Sequence, residues 1–170
     1  QGLIDNLKIS KEKQIIVIRA IDKLDKPGFG LKGVEDLLKK ERIDQSGAVT
    51  KGAGLNDEQA SEILNFLKIK DLEELKKSLK NPLSQEGIKE LENVFEVLGY
   101  GSNLNQVKTN FTIVRGLAYY SDFILETNLN FKVTNTKGKE VDIGSICSGG
   151  AYAKLISRFR GVDVPGTGIS

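Results

Sequence analysis

Hydrophobic residues in the first hundred positions recur with the spacing of α-helices. Apolar side chains return every three or four residues, and glycine, proline or asparagine separates the stretches. This pattern predicts helices over 11–26 and 31–40, from Asn56, around 72–79 and over 84–99. The segment 43–56, rich in glycine, serine and threonine, is predicted to be a loop. The residues expected to face the core of the first two helices are Ile15, Ile18, Ile21, Leu24, Val34, Leu37 and Leu38.

The period of the pattern changes after Gly101. Runs rich in valine, isoleucine, phenylalanine and threonine predict strands over 107–114, 123–128, 131–135 and 141–147. The sequence 135–138, Asn-Thr-Lys-Gly, is a hairpin-turn signal, and a final helix is expected over 151–159. We therefore predict an α+β fold with two domains, a helical module over 1–100 and a mostly antiparallel sheet over 101–170.

Composition narrows the classes of protein and of chemistry. A chain of 170 residues that is 39% hydrophobic and 28% charged is typical of a globular protein. It has no apolar run of the ~18 residues that span a bilayer, and its single cysteine, Cys147, fits a reducing compartment and the core of a strand. The absence of histidine excludes Ser-His-Asp and Cys-His hydrolases and zinc sites that need imidazole, so we expect no metal ligands.

Arg115 opens the first segment that could carry chemistry. It stands before Gly116 at the end of a predicted strand, where a permanently charged guanidinium can bind two phosphate oxygens. Tyr119 and Tyr120 follow and would point to opposite faces of an extended chain. The alternative is a surface arginine beside tyrosines that only fill a core.

Glycines mark two further segments. Gly149 and Gly150 lie between a predicted strand and a predicted helix, where they would let a ligand approach the backbone and the N–H groups of the helix. The alternative is a tight turn without a ligand. The segment 164–170, Val-Pro-Gly-Thr-Gly-Ile-Ser, alone indicates only a glycine-rich entry to a strand.

The order of these segments resembles the histidyl-tRNA synthetases, which are class II aminoacyl-tRNA synthetases. The first histidine-specific motif of that family has the form RGLxYY and stands here as RGLAYYSDFILE over 115–126. The second, GGRYDxL, stands here as GGAYAKL over 149–155, and the family's VPGxGxS stands here as VPGTGIS. The segment 21–26, IDKLDK, is similar to the family's approach to its helical insertion, so the resemblance covers essentially the whole chain.

The resemblance implies roles for individual residues. Arg115 matches the family's catalytic arginine, which holds the α-phosphate of ATP and stabilises charge during adenylation. Tyr120 and Tyr152 match tyrosines that contact the substrate histidine, and Gly149 and Gly150 match glycines that line its pocket. The resemblance further implies histidine, ATP with Mg²⁺, and tRNA(His) as substrates and partners, a homodimer, a cytoplasmic location and no membrane association.

The resemblance also implies that the chain is an internal fragment, the helical insertion plus part of the catalytic core. The family's motifs 1 and 2 would precede Gln1 and its motif 3 arginine would follow Ser170, so the resemblance implies that the chain is inactive alone. The helical insertion lies beside the tRNA acceptor stem in the family. The basic residues that could reach phosphates are Lys39, Lys40, Arg42 and Lys51, although neighbouring acidic residues largely cancel their charge.

Three alanines depart from the family's pattern. Ala118 stands where an acidic residue is common, and Ala151 and Ala153 stand where the second motif has arginine and aspartate. These departures keep open a second hypothesis, a non-catalytic synthetase-like regulatory or tRNA-sensing module. A helical and sheet pair with a purely structural role is the third.

Overall fold

The structure, a computed structural model, describes residues 1–43, 47–99, 104–114, 120–162 and 164–170. For Leu104 and residues 153–155 it describes the backbone alone. These residues form two compact units, Gln1–Val114 and Arg115–Ser170. The first is helical and the second is built on an antiparallel sheet, so the predicted α+β class is confirmed. The domain boundary predicted between 100 and 101 lies outside the described residues and stays a prediction.

The described part of the first unit contains six α-helices, a short 3-10 helix at Leu104–Gln106 and a small hairpin. The helices are α1 Gly2–Asn6, α2 Lys11–Ile21, α3 Gly30–Lys39, α4 Asp57–Phe66, α5 Leu72–Ser78 and α6 Pro82–Gly99. Strands β1 (Arg42–Ile43) and β2 (Val49–Thr50) pair antiparallel within the segment predicted to be a loop, so that prediction is wrong for these residues. Among the described helices, none has the length and apolarity needed to cross a bilayer.

The core of this unit forms where helices α2, α3 and α4 pack. Val34, Leu37 and Leu38 of α3 are at most 2% exposed, as their spacing predicts. The face predicted for α2 is partly wrong, because Ile15 is 53% exposed while Val17 is fully buried. The run of apolar residues in α2 allows more than one face at helical spacing, and packing selects the one that contains Val17.

Asn56 begins helix α4 with a reciprocal cap. Its side chain accepts the N–H of Gln59 at 2.8 Å, and the side-chain oxygen of Gln59 accepts the N–H of Asn56 at 3.3 Å. The amide nitrogen of Gln59 also donates to the carbonyl of Leu7 at 2.9 Å. The cap therefore fixes both the start of α4 and its attachment to the segment after α1.

The prediction of a strand over 107–114 is wrong, because these residues pair with no other strand in the described part of the chain. Thr109 instead donates its hydroxyl to the carbonyl of Lys70 at 2.9 Å, and the ring of Phe111 lies 6.3 Å from that of Phe66. Val114 packs against the helical core. Side-chain contacts with α4 and with the segment that follows it thus hold residues whose composition is typical of a strand.

The second unit contains five strands and one helix among its described residues. They are β3 Ile124–Asn128, β4 Val133–Thr134, β5 Glu140–Val141, β6 Ser145–Ala151, α7 Ala153–Arg160 and β7 Thr167–Ile169. Strand β6 lies between β3 and β7, both antiparallel to it, and β4 pairs separately with β5.

These elements confirm most of the predictions for the second half of the chain. The strand predicted over 123–128, the hairpin turn at 135–138 and the final helix are confirmed, the helix starting two residues later than expected. The strand predicted over 141–147 is wrong in its bounds, because β5 ends at Val141 and β6 starts at Ser145. The central strand β6 consequently runs through Gly149 and Gly150, which had been expected to end it.

Candidate functional site

The register of the three-stranded sheet puts two glycines side by side. Gly150 of β6 lies opposite Gly168 of β7 on one side and Ile124 of β3 on the other. Residues directly opposite one another in antiparallel strands point to the same face, so these positions share one face. We call the surface formed by Gly150 and Gly168 the glycine face.

Tyr120 lies over the first of these glycines. The N–H of Ser121 donates to the carbonyl of Ala151 at 2.9 Å, which brings the chain beside the end of β6. A Cβ added to Gly150 would lie 3.0 and 3.1 Å from Cδ1 and Cε1 of Tyr120. The tyrosine ring therefore occupies the space that any side chain at position 150 would need.

Tyr152 lies over the second glycine. Its backbone N–H donates to the carbonyl of Gly166 at 2.7 Å, and its hydroxyl donates to the carbonyl of Thr167 at 2.9 Å. A Cβ added to Gly168 would lie 3.1 and 3.2 Å from Cε1 and Cζ of Tyr152. These two hydrogen bonds, to Gly166 and to Thr167, thus fix the ring over the glycine face.

The two tyrosine rings consequently share one face of one sheet. Opposite Cβ positions in paired strands are about 5 Å apart. Each ring has atoms about 3 Å from its own Cβ position, so these atoms of Tyr120 and Tyr152 are at most about 12 Å apart. Gly149 belongs to the other face, where a Cβ would meet the carbonyl oxygen of Gly168 and the backbone of Ile169. The structure brings Tyr120, Gly150 and Tyr152 together and directs position 149 away from them.

The predicted catalytic residue Arg115 lies outside the described residues, as does Ala118. The site is therefore built from the glycine face and the residues next to it. Glu126 and Ser148 are opposite each other in β3 and β6, on the same face as Gly150, and Glu126 is half-buried. These groups place two phenol rings over the glycine face and a carboxylate on the same face of the sheet.

Sequence reasoning missed Gly166, Gly168 and Glu126 as members of this site. The two glycines stand two residues apart, the spacing that puts residues of a strand on one face. That spacing and the family's VPGxGxS motif were the signals in the sequence for Gly168. Pairing with β6 is what turns it into a site residue.

Two of the four basic residues proposed to meet phosphates are already engaged within the chain. Lys39 lies 3.1 Å from a carboxylate oxygen of Glu35 and 2.8 Å from one of Asp57. Its hydrogen bonds to Asp57 and Glu35 raise the pKa of Lys39, and in turn they lower the pKa of each carboxyl group. The guanidinium of Arg42 stacks on the ring of Phe29 at 4.4 Å.

Comparison with known proteins finds relatives that match all or nearly all of the chain but only part of their own length. No protein-family model matches it. The histidine–tRNA ligase of Pelagibacter ubique (strain HTCC1062) is 75% identical over 170 residues, which are 100% of the chain and 37% of that protein. The chain is thus similar to one segment of the histidine–tRNA ligases. The ligase of Bartonella quintana (strain Toulouse) is 42% identical over 166 residues, 94% of the chain and 33% of that relative.

Solved structures agree with the relation to histidine–tRNA ligases. The crystal structure of histidyl-tRNA synthetase from Nostoc sp. PCC 7120 matches with a TM-score of 0.72 and 29% identity, over 99% of this chain and 36% of that one. An ATP phosphoribosyltransferase regulatory subunit/histidyl-tRNA synthetase from Bacillus halodurans C matches with a TM-score of 0.64 and 18% identity, which shows the fold alone. The chain spans about a third of the length of the ligases it matches.

Proposed function

We propose that the chain forms the histidine-recognising part of a histidine–tRNA ligase. In the proposed reaction the carboxylate of histidine attacks the α-phosphate of ATP, pyrophosphate leaves, and a terminal hydroxyl of tRNA(His) then displaces AMP. The observation that carries the proposal is the glycine face with Tyr120 and Tyr152 above it, in a chain that is 75% identical to a ligase. A homodimer and a cytoplasmic location belong to the same proposal.

The residues of the site fit recognition of an imidazole ring. Gly150 and Gly168 leave room for the rings of Tyr120 and Tyr152 on one face. Phenols pack against a flat ring as well as hydrogen-bonding its nitrogens. Arg115 is proposed to hold oxygens of the α-phosphate, where a fixed cation stabilises negative charge that develops in the transition state. The proposal thus assigns recognition of the imidazole to the tyrosines and stabilisation of the α-phosphate to Arg115.

Mg²⁺ usually accompanies ATP in such reactions. Within the described residues there is no group of three or more acidic, cysteine or histidine side chains that could hold a metal ion. We therefore assign no metal ligand among the described residues.

A chimera tests the proposed function. This chain replaces the matching segment of the Pelagibacter ubique ligase, and histidine-dependent exchange of pyrophosphate into ATP is measured. We expect exchange within about tenfold of the parent enzyme, and a loss of about 100-fold or more in Arg115→Ala. Arg160→Ala, which removes an exposed arginine from the end of α7, is the matched control and should leave the rate unchanged.

The non-catalytic module remains the second candidate because of two observations. The Bacillus halodurans protein shows that a chain named partly as a regulatory subunit has this fold. Ala151 and Ala153 stand where the ligase motif carries charges. A folded chimera that binds histidine without exchanging pyrophosphate would favour the module and contradict the ligase. The 170-residue chain alone is expected to show no exchange.

A further inference from the structure

Position 151 lies on the opposite face of the sheet from the two tyrosine rings. Ala151 ends β6 directly after Gly150 and is opposite Thr167 of β7. Successive residues of a strand point to opposite faces, so the methyl group of Ala151 points away from the glycine face. Ala151 is 7% exposed, and its N–H and carbonyl are bonded to Phe123 at 3.1 Å and to Ser121 at 2.9 Å. Any side chain at position 151 therefore starts from a buried place behind the site.

Position 153 is the first residue of helix α7. The side chain of Tyr152, which precedes the helix, makes no capping hydrogen bond, and the first turn of α7 contains no acidic residue. The one charged residue in that turn is Lys154, and a cation is unfavourable near the positive end of the helix dipole. An acidic residue at position 153 would compensate the unpaired N–H groups of the first turn. The aspartate of the motif GGRYDxL stands at this position.

An arginine at position 151 and an aspartate at position 153 would be within reach of each other. The Cα atoms of residues two apart are separated by at most about 7 Å, which the long side chain of arginine can span. A charge at the buried position 151 is costly without a partner, whereas replacing both members of a buried pair by apolar residues can be nearly neutral. The presence of alanine at both positions is what the loss of a whole pair would produce.

We propose that positions 151 and 153 form a structural joint between β6 and α7, behind the histidine-recognising surface. Ala151 and Ala153 replace a paired brace as a unit and remove no group that touches a ligand. The joint itself does not require the proposed function. Its consequence for histidine recognition, which the alanines leave intact, rests on that function. The two alanines then do not favour the non-catalytic module over the ligase.

A double-mutant cycle in the 170-residue chain tests the joint. Unfolding of the second unit in urea is followed by amide NMR in Ala151→Arg, in Ala153→Asp and in the variant with both changes. Ala151→Arg alone should raise the equilibrium constant for unfolding by about tenfold or more, because it buries a charge without a partner. Ala153→Asp alone should lower the constant by about threefold. With both changes, the constant should be about tenfold smaller than independent effects predict.

Ala153→Asn is the matched control, because asparagine has the size of aspartate without its charge. Combined with Ala151→Arg, it should restore little of the lost stability. If Ala151→Arg alone unfolds the second unit, the unit should fold again when Ala153→Asp is added and stay unfolded when Ala153→Asn is added. Additive effects in the cycle, or equal rescue by asparagine and aspartate, would overturn the joint.

Pyrophosphate exchange in the chimera tests whether the joint is separate from the site. The variant with Ala151→Arg and Ala153→Asp should keep kcat and the KM for histidine within about threefold of the parent chimera. A larger change in either constant would overturn the separation, even if the cycle shows coupling. A parent chimera without exchange activity would instead count against the proposed function and would leave the result of the cycle standing.

Discussion

Replacing Gly150 by alanine tests the close packing of the glycine face. The added methyl group would collide with the carbonyl oxygen of Phe123 and lie 3.0 and 3.1 Å from the ring of Tyr120. The carbonyl of Phe123 accepts the N–H of Ala151 at 3.1 Å, so moving it away from the methyl group would lengthen this hydrogen bond between β6 and the residue before β3. Strain of this kind costs about 1–3 kcal/mol and a lost hydrogen bond about 1 kcal/mol. We expect a total near 3 kcal/mol.

Urea unfolding followed by two-dimensional amide NMR measures this cost, because signals from the two compact units are read separately. With a slope of about 1 kcal/mol per molar urea, the midpoint of the second unit should fall by roughly 3 M or the unit should be unfolded without urea. The control is Gly87→Ala in α6, where nothing lies within 4 Å of the added methyl group. It should stabilise the first unit by about 0.5–1 kcal/mol. An unchanged midpoint for Gly150→Ala would refute the reasoning.

Two further predictions concern the helical unit. Asn56→Ala removes the cap of α4 and should lower the free energy of unfolding by about 1 kcal/mol in urea titrations. A loss of less than a few tenths of a kcal/mol would show that the cap does not stabilise the helix. Lys39 lowers the pKa of Glu35 and Asp57, so the ionised carboxylates stabilise the fold at any pH above the ordinary pKa of a carboxyl group. This stabilisation is lost as the pH falls below about 4.5 and the two groups take up protons. Thermal melts of Lys39→Met from pH 6 to 3 should therefore show a weaker dependence on pH than the parent, and an identical dependence would contradict the ion-pair assignment.

Local patterns predicted the helices better than the sheet. Val34, Leu37 and Leu38 were assigned to the core from spacing alone, because one face of α3 is apolar and the other is charged. The composition of residues 107–114 predicted a strand that does not form. Valine and threonine favour a strand only where a partner strand is available, and here Phe111 and Val114 contact the helical unit instead. The pairing of β1 with β2 was missed because a two-residue strand leaves no alternation to detect.

The candidate site was partly predictable from its motifs. Tyr120, Gly150 and Tyr152 follow from the resemblance, and the structure brings them to one place. Gly168 and the orientation of Gly149 depend on the register between β6 and β7, and a shift of one residue would exchange the two faces. A single sequence contains no direct signal for that register.

Nuclear Overhauser effects in the 170-residue chain test the central claim most directly, that two tyrosine rings share the glycine face. The account predicts cross-peaks from the ring protons of Tyr120 to the α-protons of Gly150, and from those of Tyr152 to the α-protons of Gly168. Cross-peaks from both rings to Ile169 on the other face, with none to Gly150 or Gly168, would contradict it.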